Sequence, residues 1–161
     1  MVPTGTTISV RAIAPRGPRN RREGTAAMPM PVISAVTAGI LIIMQLALML
    51  AVVVARRRNK QSLGDGGHPE LIRAMRRHGN FAENAALFIA GFTLLELLGG
   101  DRNALIILCA AFVLGRISHA VGLSQEKSVN PFRTGGVAIT VIVGLALASR
   151  LLLTALPHLG L

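Results

Sequence analysis

"PVISAVTAGILIIMQLALMLAVVVA", residues 31–55, contains no ionisable side chain. A helix of about 20 apolar residues crosses the hydrocarbon core of a bilayer, so this run can span one unaided. Residues 88–95 and 103–115 are likewise free of charge. Of the 161 residues, 52% are hydrophobic and 15% charged, against about 25% charged in a soluble domain. An ordinary soluble enzyme is thereby excluded. The chain beyond residue 30 is long enough for one small membrane domain and leaves no room for a soluble one.

Upstream of that run, residues 1–30 are rich in Arg, Pro and Gly and have no apolar period. They read as a disordered basic tail. Met28 and Met30 stand immediately before the apolar run, and one of them is the expected start of translation. Mass spectrometry of the purified protein checks this, and an intact peptide containing Arg11 would refute it.

Downstream, turn and cap signals divide the chain into four helices, at about residues 31–55, 69–98, 103–123 and 131–156. Pro69 suits a first helical position, Gly99 and Gly100 a stop, and Asn130 followed by Pro131 an N-cap. The expected fold is an all-α membrane protein, an up-down four-helix transmembrane bundle.

Net charge is +10. The cations adjoin apolar spans, so the expected partner is the lipid bilayer and not nucleic acid. Arg56, Arg57, Arg58 and Lys60 follow the first span and Lys127 lies in the third loop. The positive-inside rule then puts both loops in the cytoplasm. The arginines of the tail oppose this orientation, and a later start removes the conflict. Cys109 is the only cysteine, so no internal disulfide forms. Its apolar setting reads as core.

The second helix opens with "RAMRRHGNFAENAALF", residues 73–88. At 100° per residue, Arg73, Arg76, Arg77, Asn80, Glu83 and Asn84 fall within an arc of about 120°. His78 falls outside it. Arginines at such a depth can snorkel to the headgroups. Glu83 is too short to do so, and an ionised group in hydrocarbon costs about 2.5–3.5 kcal/mol on insertion scales. It needs a partner, for which Arg76 or Asn80 is placed. Arg116 and His119 end the third helix and Arg133 and Thr134 open the fourth, at the same membrane depth. These arginines, with the positive end of the fourth helix, make an anion site. A lipid headgroup or another anion satisfies the arginines. A zwitterion with several carboxylates uses Glu83 as well. A proton-coupled carrier built on Glu83 is a weaker reading, because such carriers place the acid in the first helix and residues 31–55 have none.

At these residues the chain resembles MAPEG, the membrane-associated proteins in eicosanoid and glutathione metabolism, in a bacterial-type form. The motif Arg-x-x-Arg-x-His-x-Asn-x-x-Glu stands here as Arg73, Arg76, His78, Asn80 and Glu83. Arg116 and His119 match an Arg-x-x-His late in the third helix. Pro131, Arg133 and Thr134 match the opening of the fourth. The resemblance covers about residues 31–156 and implies a homotrimer with glutathione bound between subunits. It implies that Arg73, Arg76, Asn80 and Glu83 hold the glutathione carboxylates and amine, with Arg116 and His119 lining the same pocket. Arg133 and Thr134 are the implied catalytic pair, stabilising a thiolate that attacks a lipophilic small-molecule substrate. Glutathione is the one cofactor implied, and no metal. The implied location is a bacterial inner membrane, with the site on the cytoplasmic face. The family's characterised enzymes surround glutathione with tyrosines, and this chain has none. Leu123 and Asn84 stand where two are expected. A non-catalytic member of the same fold, binding lipid headgroups or another anion, is the alternative.

Overall fold

A computed structural model describes residues 30–125 and 130–159. The expected basic tail, apart from Met30, and Lys127 of the third loop lie outside the described residues. Four helices follow one another: α1 (Val32–Arg58), α2 (Pro69–Leu97), α3 (Arg102–Gly122) and α4 (Pro131–Ala155). One 3-10 turn, Leu156–Leu159, closes the described chain. No strand occurs among the described residues.

α1 runs past the apolar stretch and through Arg58. Arginine is a good helix former, and cations in a last turn complement the helix dipole. Arg56 then organises the loop, its Nη1 donating to the carbonyls of Ser62 (3.1 Å) and Gly64 (2.9 Å). The start of α1 has no cap of its own. Glu96, at the far end of α2, supplies one. Its carboxylate accepts from the backbone N–H of Ile33 (2.9 Å) and Ser34 (2.8 Å), and from the Ser34 hydroxyl (2.6 Å).

α2 stops at Leu97, and Gly99 takes the left-handed φ of 75° that such a stop requires. Asp101 caps α3, accepting from Ala104 N–H at 2.7 Å. Asn130 caps α4 as its position suggests, accepting from Arg133 N–H at 2.9 Å. Its amide also donates to the Gly122 carbonyl (2.8 Å), tying the end of α3 to the start of α4.

α1 packs along α2 and α3 along α4. The core holds Leu41, Phe81, Phe92, Leu95, Leu105, Phe112, Val143 and Leu147, with Cys109 among them. The Phe88 and Phe112 rings stack at 4.1 Å, and Phe92 meets Phe112 edge-on at 5.8 Å. The outer faces carry exposed aliphatic side chains, including Ile43, Leu50, Leu114, Ile142, Leu145 and Leu153. Water would not tolerate such a surface, whereas lipid does. Three helical stretches, Val32–Arg58, Arg102–Gly122 and Pro131–Leu159, are long and apolar enough to cross a membrane. α2 has 29 residues, about 45 Å at 1.5 Å each, and its charged first turns set it apart from the other three. The protein is an integral membrane bundle.

Candidate functional site

A cleft of about 560 Å³ opens where α2 begins, α3 ends and α4 begins. α2 lines it with Pro69, Ile72, Arg73, Arg76, Gly79, Asn80 and Glu83. α3 and its exit contribute His119, Gly122, Leu123 and Gln125, and α4 contributes Arg133 and Val137. The helical arc explains the α2 wall: residues three and four apart share a face. Pro69, Ile72, Leu123 and Val137 make apolar borders to a charged centre.

Two tight helix approaches set the other wall. A Cβ on Gly122 would collide with the backbone nitrogen of Arg133. A Cβ on Gly136 would lie 2.6 Å from the backbone nitrogen of His119. Only glycine at both positions lets α4 lie against the last turn of α3. That contact brings Arg133 to the mouth of the cleft beside His119. His119 is 4% exposed. Its Nδ1 lies 3.3 Å from the Arg133 carbonyl, which can only accept, so Nδ1 carries the proton.

Of the residues the sequence brings forward, Arg73, Arg76, Asn80, Glu83, His119 and Arg133 line this cleft. Glu83 is exposed. Among the described residues it makes no ion pair with Arg76 and no hydrogen bond with Asn80, the partners its position suggested. Asn80 is turned instead toward Arg116, so the Glu83 carboxylate is left to the cleft.

Arg116 and Thr134 lie elsewhere. Arg116 is 3% exposed and sits behind the α2 wall, its Nη2 donating to Asn80 Oδ1 at 2.6 Å. Thr134 donates its hydroxyl to the Asn130 carbonyl at 3.2 Å, within the first turn of α4. Arg77 also leaves the stripe, donating to Ser124 Oγ at 2.7 Å and so joining α2 to the end of α3. His78 meets Gln45 of α1, with 2.8 Å between the two Nε2 atoms. Helical spacing excludes His78 from the stripe, and its contact with α1 agrees.

Sequence reasoning missed Gln125 and the glycines, whereas Leu123 lines the cleft where the resemblance expects a tyrosine. The polar residues after α3 give no sign that Ser124 meets Arg77 or that Gln125 lines a cleft shared with α2. Gly122 and Gly136 carry meaning only once α3 and α4 are known to touch.

Arg73, Arg76 and Glu83 of α2 share this cleft with Arg133 of α4, an excess of two positive charges among these four side chains. The start of α4 adds the positive end of a helix dipole. Such an arrangement favours an anion and, through Glu83, a cationic group on the same molecule.

Comparison with known proteins agrees with the motif. No curated protein sequence matches the chain significantly. The MAPEG family model matches residues 34–153. That match spans α1 almost from its start, α2, α3 and nearly all of α4, together with every residue of the cleft. The chain belongs to the MAPEG family.

Proposed function

We propose that this protein binds glutathione in the cleft and activates its thiol toward a lipophilic electrophile or peroxide. One observation carries the reading: three arginines and a single carboxylate, Glu83, converge on one cleft. Glutathione offers two carboxylates and one ammonium group, which match that set. Arg73 and Arg76 hold carboxylates and Glu83 holds the amine. Arg133, at the start of α4, faces the thiol. A neighbouring cation and a helix N-terminus both lower a thiol pKa and raise the thiolate fraction. Ile72 and Val137, exposed aliphatic borders of the cleft, suit the approach of a lipophilic substrate. Thr134 serves this reaction by holding the first turn of α4 that carries Arg133.

The reading includes a homotrimer, for which the exposed aliphatic faces of α1 and α3 provide surface. It also includes a bacterial inner membrane with the cleft on the cytoplasmic face. The arginines that end α1 lie at the same end of the bundle as the cleft, which supports that orientation.

Glutathione titrated into detergent-purified protein, followed by thiolate absorbance, tests the reading. The wild type should saturate at millimolar glutathione. Arg76→Ala and Arg133→Ala should each weaken binding about tenfold or more, the worth of a charge-assisted hydrogen bond. Arg133→Ala should also lose the thiolate signal. Absence of binding at millimolar glutathione would refute the proposal. A second reading rests on the chain's lack of tyrosine, which removes hydroxyl donors from around the ligand. In that reading the protein is a non-catalytic member holding an anionic lipid headgroup. Anionic phospholipid would then co-purify and glutathione would not displace it.

A further inference from the structure

Arg116 is the least expected charge in the protein. It is 3% exposed, and no carboxylate pairs with it among the described residues. Its guanidinium carbon lies 5.8 Å from the centre of the Phe81 ring. Its Nε is buried and has no hydrogen-bond partner among the described residues. Nη2 makes two bonds, to the Asn80 backbone carbonyl (3.1 Å) and to Asn80 Oδ1 (2.6 Å). A buried cation of this kind is costly unless it is held by good acceptors. Here a single residue, Asn80, supplies both of them.

The chemistry of that contact fixes the amide. A guanidinium has donors only, so the atom 2.6 Å from Nη2 is the amide oxygen. The other branch, Nδ2, is then committed to the opposite side. Asn80 lines the cleft, and its Nδ2 is not among the described buried atoms that lack a hydrogen-bond partner. An asparagine left to itself offers either an acceptor or a donor to a ligand. With Oδ1 held from behind, this one offers only N–H.

We infer that Arg116 is a positioning residue which locks Asn80 as a hydrogen-bond donor, making its position in the cleft specific for a ligand carboxylate and closed to an ammonium group. This rests on the glutathione reading and refines it: a carboxylate lies against Asn80, and the amine is left to Glu83. Arg116 acts through Asn80 and also lends its buried charge to the anion.

Asn80→Asp is the discriminating substitution. It pairs Arg116 with a carboxylate and removes the donor. Glutathione affinity should fall by about a hundredfold, because a like charge then faces the ligand carboxylate. The unfolding midpoint in detergent should rise by about 4 °C, because the buried cation gains a counter-ion. A purely structural Arg116 predicts instead that Arg116→Met leaves glutathione affinity within about twofold of the wild type. Arg116→Met frees Oδ1 and should weaken glutathione about tenfold, and Arg116→Lys, which still donates, should restore part of the loss. Should Arg116→Met fail to fold, Asn80→Asp still decides whether that position of the cleft takes a carboxylate. Wild type that binds glutathione while Asn80→Asp binds within about twofold of it would overturn this inference and leave the functional reading standing. Wild type that binds no glutathione would overturn both.

Discussion

Glu96 sits in the last turn of α2, and its place there follows from α1. The Pro31–Val32 start of α1 has no side-chain cap, so its first N–H groups need acceptors from elsewhere. The Glu96 carboxylate takes two of them and the Ser34 hydroxyl. Negative charge at a helix N-terminus is favourable, and charge-assisted bonds are stronger than neutral ones. Glu96→Ala should therefore lower stability by about 1–3 kcal/mol, read from thermal unfolding in detergent. Ser34→Ala removes one hydroxyl and should cost about 1 kcal/mol. Equal and negligible effects of both would mean the contact contributes nothing. His78 illustrates the opposite kind of residue. It belongs to the family motif, yet here it meets Gln45 across the α1–α2 seam, away from the cleft.

Between elements, the contact of α3 with α4 decides where Arg133 stands. Gly122 and Gly136 admit the close approach, and Asn130 bridges it from Arg133 N–H to the Gly122 carbonyl. Helix packing in lipid relies on such small residues because no hydrophobic drive separates helix from lipid. Gly122→Ala inserts a methyl group against the Arg133 backbone, and α4 has to move. Glutathione affinity should fall about tenfold or more, with a lower unfolding midpoint. Gly135→Ala is the control, since nothing lies within 4 Å of its added Cβ. There the better helix propensity should leave stability equal or raise it by up to about 1 kcal/mol. Asn130→Ala removes the cap and should cost about 0.5–2 kcal/mol. If Gly122→Ala bound glutathione like the wild type, α4 would not need its close seat.

For the whole molecule, the exposed aliphatic surface and the buried thiol give two measurements. Chemical cross-linking in detergent or membranes should trap a trimer, and a strict monomer would refute that assembly. Cys109 is 4% exposed and lies among Phe and Leu side chains. A water-soluble maleimide should leave it unmodified in the folded protein and label it after denaturation. Labelling of folded protein at the rate of a free thiol would contradict its place in the core.

Much of this protein is determined by the sequence itself. The charge-free run 31–55 dictates a membrane helix because an uncharged stretch of that length has no better solvent than lipid. Helical spacing alone collects Arg73, Arg76, Asn80 and Glu83 on one face, since positions three and four apart coincide at 3.6 residues per turn. Cap chemistry marks the start of α4 at Asn130. These are local properties, and local rules read them. What only the tertiary structure decided concerns contacts between distant segments. Glu96 closing α1 joins residues more than 60 apart. Arg116 shares a stripe with His119, yet it turns behind Asn80 while His119 reaches the cleft. Helical periodicity gives a residue's direction from its own axis. It does not give what stands in that direction, which depends on how closely the glycines let the neighbouring helices approach.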